Sequence, residues 1–322
     1  GEDYKRTTTL STSQIELLVL HEISKFLNSM GKNINMYQLV PKFLRFDDVD
    51  KESRDILSEK NIVISDSDLA AISRLNTEQK SAFNKIIEAV FIKQSGCFFL
   101  DGPGGTGKTF LYRALLAEVR SKGYTALATA SCGVAASILP GGRTAHSRFK
   151  IPIDLNPANM CKVSKQSSLA QLLRQAKLII WDEAPMTHKI AIEGVDKLLR
   201  DLMDCDKLFG NKVIVFGGDF RQVLPVVHKG SNADSFEASL IRSYIWPNLE
   251  KLQLKQNMRA LSDPDFTEYL LRIGNGTEMT INTDNVRIPD PLLIHYTTEE
   301  ESLNRLITTV FPNFSQFAEK DA

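Results

Sequence analysis

The chain has 322 residues, 43% of them apolar, enough for one large or two medium domains with a real core. Lys plus Arg and Asp plus Glu number 39 each, so the molecule as a whole exerts no long-range pull on a polyanion, and any nucleic-acid site is a local groove. Four scattered cysteines, Cys97, Cys132, Cys161 and Cys205, lack the close pairs of a zinc site and the density of a disulfide scaffold, which points to a reducing compartment. No segment reaches the roughly 18 apolar residues of a membrane span, and "GEDYKRTTTL" has no signal-peptide core. The expectation is a soluble intracellular protein.

In chain order, Ile15, Leu18, Val19, Ile23, Phe26, Leu27 and Met30 recur at three- and four-residue steps after Ser11 and Ser13, and Gly31 is placed to end the run, which predicts an amphipathic helix. "LRFDDVDKESRDILSEKN" predicts a second helix with a solvated, charged face. Residues 1–66 therefore read as a small helical region. From residue 76 the pattern changes. "NTEQKSAFNKIIEAVF" opens on the capping residues Asn76 and Thr77 and puts Phe83, Ile86, Ile87 and Val90 on one face, a helix. "CFFLD", "YTALATA", "KLIIWDEA" and "KVIVFGGDF" are short bulky apolar runs that suit strands buried on both faces. Their alternation with helical patterns predicts an α/β fold, a parallel sheet with helices on both faces and ligands at the carboxyl ends of its strands. Trp181 and Trp246 read as core residues, and His188 and His228 show no pattern for metal or nucleophilic chemistry.

"GPGGTGKT", Gly102 to Thr109, lies between the first of these strands and a predicted helix, the context in which G-x-x-x-x-G-K-[ST] cradles phosphates. Its glycines let backbone N–H groups wrap the anion at a helix N-terminus. Lys108 is the candidate for reaching the β- and γ-phosphates and Thr109 for holding Mg²⁺. A glycine-rich turn that merely links strand to helix does not account for the Lys-Thr pair. At the next strand end, "LIIWDEAPM" offers Asp182 as a second metal carboxylate and Glu183 to orient or deprotonate water, against the plainer reading of a solvated acidic pair. In "GGDFRQVLPVV", Gln222 is either a γ-phosphate sensor or part of a surface turn.

Taken in order, "GPGGTGKT", "WDEAPM", "GGDFRQVLPVV" and "LKQNMRA" resemble the first motor domain of the superfamily 1B DNA helicases of the petite-integration-frequency type, especially the helicase part of Helitron transposons and their plant relatives. The resemblance spans residues 67–322. It implies a RecA-like P-loop NTPase fold, with a small inserted wedge near 148–168, and ATP-driven 5′-to-3′ movement on single-stranded DNA. It assigns the whole loop, Gly102, Pro103, Gly104, Gly105, Thr106, Gly107, Lys108, Thr109 and the following Phe110, to Mg-ATP, gives Gln79 the adenine edge, couples Gln222 to DNA, and makes Arg259 a γ-phosphate contact. Without it, Arg259 reads as a surface arginine.

In "TASCGVAASILPGGRTAHSRFKIP" the resemblance assigns contacts with single-stranded DNA to the Thr-Ala and "GGRTAHS" elements, which contain Thr129, Thr144, His146 and Ser147. Gly133 is also suited to phosphate contact, Arg143, Arg148 and Lys150 supply charge, and Phe149 a stacking face. Relatives continue into a second RecA-like domain (2A) that these residues do not contain. The expectation for 1–322 alone is reduced nucleotide affinity, slow hydrolysis and no unwinding. The resemblance also implies a monomer acting on forked or structured DNA, in the nucleus or alternatively the mitochondrion, in repair, recombination and telomere maintenance. The alternative is a transposon-derived remnant that binds nucleotide or DNA without unwinding.

Overall fold

A computed structural model describes residues 19–20, 23, 56–152, 161–282, 285–296 and 298–312. Almost all of the first predicted helix, the start of the second, and positions 153–160 of the expected wedge lie outside the described residues. The chain divides into two compact units, Gly1–Ser262 and Asp263–Ala322.

The first unit is built on one six-stranded parallel sheet. Its strands are β1 (Gly96–Asp101), β2 (Thr125–Ala130), β3 (Arg143–Thr144), β4 (Ala176–Asp182), β5 (Val213–Gly218) and β6 (Glu250–Gln253), in the order β3-β2-β4-β5-β1-β6. The four apolar runs of the sequence are β1, β2, β4 and β5, the central strands. Side-chain alternation divides their residues between two cores. Phe99, Leu127, Ile179, Trp181, Ile214 and Phe216 enter one, while Phe98, Leu100, Ala126, Ala128, Ile180 and Val215 enter the other. Burial on both faces explains why these strands read as continuous apolar runs.

Helices cover both faces. The short α1 (Asp66–Ala70), α2 (Thr77–Glu88) and α3 (Lys108–Ser121) lie toward the Phe98 side. Here α2 starts with a capping box in which the side chain of Asn76 accepts from the Gln79 N–H and Gln79 Oε1 accepts from the Asn76 N–H. Beyond the short α4 (Gly133–Ser137), α5 (Ala145–Phe149), α6 (Ser168–Gln175) and α7 (Lys189–Met203) pack on the Phe99 side. Trp181 is fully buried there, stacked on Phe149 at 5.5 Å, and Trp246 packs partly buried against Phe99 and Phe220.

In the second unit, Asp263 caps α8 (Pro264–Gly274), Thr280–Asn282 pairs antiparallel with Asn285–Val286, and α9 (Glu299–Val310) opens on three glutamates capped by Thr298.

Candidate nucleotide and DNA site

The carboxyl ends of the parallel strands gather the predicted catalytic residues on one edge of the sheet. β1 ends at Asp101 and runs directly into the glycine loop, and Gly107 is the N-cap of α3 with φ 82°. A Cβ at Gly107 would stand 2.4 Å from Gln79 Nε2, and one at Gly105, φ 89°, would stand 2.5 Å from Asn257 Oδ1, so both positions exclude a side chain by conformation and by space. Lys108 is buried, and its Nζ donates to the Gly102 carbonyl at 2.5 Å and the Pro103 carbonyl at 3.4 Å. The ammonium thus folds back over the loop it would share with a phosphate. Thr109 and Phe110 follow on the first turn of α3, both half-buried.

Gln79 is also buried, with Nε2 donating to the Thr106 carbonyl at 3.0 Å. In this conformation its amide braces the phosphate loop from α2. An adenine-reading role would need that bond to open.

Asp182 is the last residue of β4 and 3% exposed. Its Oδ1 accepts the Glu183 N–H at 3.0 Å. Burial, then the neighbouring Glu183 charge, push its carboxyl up to about 6, opposed by that N–H and by Lys108. A desolvated carboxylate at a strand tip next to a phosphate loop suits a divalent cation, and Thr109 with Asp182 are the residues that would hold Mg²⁺. Glu183 sits in the left-handed region, φ 53°, a strained turn of the kind that clusters at functional sites. The turn is braced by Ser131, whose Oγ donates to the Glu183 carbonyl at 2.6 Å and accepts from Trp181 Nε1 at 3.1 Å.

β5 ends at Gly218, and the next residue, Asp219, organises the loop that follows. Its Oδ1 accepts from Arg221 Nε at 2.7 Å and its Oδ2 from Gln222 Nε2 at 3.3 Å. The Gln222 amide lies over the phosphate loop, 3.9 Å from where a Cβ on Gly104 would be.

From β6 the chain crosses the same loop. Glu78 Oε2 accepts the N–H groups of Lys255 and Gln256, and the Met258 N–H donates to the Gly105 carbonyl at 2.8 Å. Asn257 joins the parts: Nδ2 donates to the Gly104 carbonyl at 3.4 Å, while Oδ1 accepts the N–H groups of Arg259 at 2.9 Å and Ala260 at 3.1 Å. Arg259 is therefore carried to the phosphate loop by its own backbone. Sequence reasoning missed Asn257, Ser131 and Glu78, and "LKQNMRA" alone carries no sign of Asn257's role.

The predicted DNA-facing residues separate into two groups. Gly133, Arg143, His146 and Ser147 are exposed, and Thr144, half-buried, caps α5 by accepting the Ser147 N–H. They lie along the β3 edge, where Arg143 and Thr144 pair with the last two residues of β2. Thr129 and Arg148 do not belong with them. Thr129 is fully buried, its hydroxyl donating to the Ile180 carbonyl at 2.6 Å inside the sheet. Arg148 is 1% exposed, with Nη1 2.6 Å from the Glu59 carboxylate. Phe149 is likewise in the core. A side chain held within the protein cannot meet a strand passing outside, so these three leave the DNA-contact set.

A parallel sheet whose first strand turns through a glycine loop into a helix, with acids at the neighbouring strand tips, defines a P-loop NTPase with a RecA-like core. Among solved structures, the chain is similar to Bacteroides Pif1 helicase in complex with ADP-AlF3 and ssDNA, with TM-score 0.55 and 21% identity over 74% of this chain and 57% of that one. Residues 74–284 match the PIF1-like helicases, and the chain belongs to that family. It is 29% identical over 191 residues to the ATP-dependent DNA helicase Pif1 of Psychrobacter sp. (strain PRwf-1), covering 58% of this chain and 27% of that protein. With human ATP-dependent DNA helicase PIF1 it shares 31% over 152 residues, 47% of this chain and 23% of that protein. The chain spans from 21% to 47% of the length of such curated relatives.

Proposed function

We propose that this chain carries the nucleotide-binding half of an ATP-dependent 5′-to-3′ DNA helicase. The observation that carries the reading is the convergence of Lys108, Asp182, Gln222 and Arg259 on one glycine loop at the carboxyl edge of the sheet. In this reading the backbone of Gly102–Thr109 and Lys108 hold the triphosphate. Thr109 and Asp182 would hold Mg²⁺, which would supply charge neutralisation for the bound triphosphate. Glu183 orients the attacking water and takes its proton, and Arg259, braced by Asn257, meets the charge that develops on the γ-phosphate. Gln222 senses that phosphate and passes its loss to the DNA edge at β3, where Gly133, Arg143, Thr144, His146 and Ser147 hold the strand by its backbone.

Within the family we place the chain beside the helicase parts of Helitron transposons, on the wording of "LKQNMRA" and "ISKFLNSMGKNINMYQLV". Nuclear work in repair, recombination or telomere maintenance, with the mitochondrion as the alternative, follows from the resemblance alone. Similar solved structures described as in complex with ADP-AlF3 and ssDNA, as bound to ssDNA, or as the basis for DNA unwinding at forked dsDNA support the ligand classes.

Titration with Mg-ATP, followed by phosphate release with and without single-stranded DNA, tests the reading. Saturable binding lost in Lys108→Ala and turnover stimulated by the strand are expected. Absence of any saturable adenine-nucleotide signal in the wild-type protein overturns it.

A further inference from the structure

The opposite edge of the sheet, where β4 and β5 begin, holds a cavity of about 410 Å³. Three cations line it: Arg174 from the end of α6, Lys177 from the start of β4, and Lys212 just before β5. Among the described residues, no carboxylate lines it. Among the described residues, none of the three stands in a salt bridge; Lys212 Nζ donates to the Arg174 and Ala176 carbonyls, Arg174 Nε to the Leu202 carbonyl, and Lys177 Nζ to Gln94 Oε1.

Lys212 is the telling member. It is 9% exposed, and burial, followed by the nearby Lys177 charge, pulls its ammonium down to about 8. A buried cation without a counter-charge is costly to a fold, and proteins ordinarily pair or neutralise it. Two non-glycine residues of the lining, Gln94 (φ 53°) and Asn211 (φ 63°), are held in the left-handed region, which adds strain at the same place.

We infer that this cavity is an anion site for the phosphate group of a small phosphorylated ligand, separate from the glycine loop. A phosphate monoester has the charge and acceptor count for three cations and the Gln94 and Asn211 amides, whereas a single carboxylate would leave most of the positive charge uncompensated. Apolar lining from Val90 and Val213 leaves room for an organic body on the phosphate. The site lies at the amino end of the six-residue strand β5 and the glycine loop at the carboxyl end of its neighbour β1, roughly 20 Å apart at about 3.3 Å per residue. Two sources fit the chemistry, a free sugar phosphate and the 5′-phosphate end of a nucleic acid.

The test uses the full chain carrying Lys108→Ala, so that the glycine loop does not contribute. Ribose 5-phosphate is titrated calorimetrically at low salt, and a 5′-phosphorylated oligonucleotide and its 5′-hydroxyl counterpart compete against it. Saturable binding is expected, weakened about tenfold by Lys177→Gln or Arg174→Gln and retained in Lys177→Arg. Competition by the phosphorylated oligonucleotide alone identifies a nucleic-acid end; no competition from either identifies the free phosphate. Lys177 and Arg174 are half-buried, so their substitutions leave the fold intact even where Lys212→Gln does not. No saturable binding in the Lys108→Ala protein, or affinity unchanged from that parent in both glutamine variants, overturns the inference. Loss of ATP binding on its own would bear only on the glycine loop.

Discussion

Replacing Asp182 by asparagine separates what the residue does for the fold from what it does for the metal. Its carboxyl is pushed from 3.8 to about 6, chiefly by burial. At 1.36 kcal/mol per pKa unit, the ionised carboxylate costs the nucleotide-free fold about 3 kcal/mol at neutral pH. The folded value lies above the unfolded one, so this group favours folding in full below 3.8 and withdraws that support as pH rises through about 6. Asparagine keeps an oxygen for the Glu183 N–H and never ionises. Asp182→Asn is therefore expected to raise the apo melting temperature at pH 7.5, by at most roughly 6–12 °C, less whatever Lys108 loses when its negative neighbour goes. Near pH 4 the gain vanishes, because the wild-type carboxyl is then largely neutral. Scanning calorimetry at the two pH values measures this, and a parallel series with Mg-ADP should stabilise wild type but not the variant. An Asn variant that melts below wild type at pH 7.5, or keeps the same advantage at pH 4, refutes the assignment of the cost to a desolvated charge.

Asn257→Ala removes the side chain that joins the Gly104 carbonyl to the backbone of Arg259; turnover in stopped-flow phosphate release should fall by about tenfold with nucleotide affinity changed less than threefold, since the lost contact positions a transition-state group. Arg148→Ala leaves the buried Glu59 with only its longer contact to Arg120, 3.8 Å away, so urea unfolding should show a loss of at most roughly 3–5 kcal/mol, while single-stranded DNA affinity below the transition stays within a factor of two. Arg143→Ala should do the reverse, with stability nearly unchanged and the slope of log affinity against log salt reduced by about 0.7.

How much of this was legible depends on where each property is encoded. The four central strands were readable because burial on both faces writes an uninterrupted apolar run, and the glycine loop because its chemistry constrains consecutive residues. The edge strands were not. β3 has two residues, and β6, "EKLQ", buries only Leu252, so neither carries an apolar pattern. Asn257 was silent because its role arises from a contact with a loop some 150 residues earlier in the chain. Arg148 and Glu59 were misread for the same reason: each looks like surface charge in its own segment, and only the fold brings the two together away from water. Thr129 was misread because nothing in its own segment shows that its hydroxyl bonds to the Ile180 carbonyl within the sheet.

The two ends of this sheet pose one electrostatic problem twice, with opposite signs. Asp182 at the carboxyl edge carries a desolvated negative charge and Lys212 at the amino edge a desolvated positive one, pulled from 10.5 to about 8. Lys212's shift corresponds to about 3 kcal/mol, comparable to that of Asp182. Across roughly 20 Å at an effective dielectric near 20, their mutual attraction is only about 0.8 kcal/mol, so neither charge can compensate the other. Beyond the carbonyls that Lys212 meets and the N–H that Asp182 accepts, any further compensation for either charge has to come from a ligand at its own edge. Because the apolar sheet between them contains no shared ionisable partner, Mg-nucleotide at one edge and a phosphate ester at the other should stabilise the fold additively, within about 0.5 kcal/mol. Calorimetric scans with each ligand alone and with both together measure this. A larger departure would mean that the strands transmit strain between their ends, and that the two sites share one conformational equilibrium.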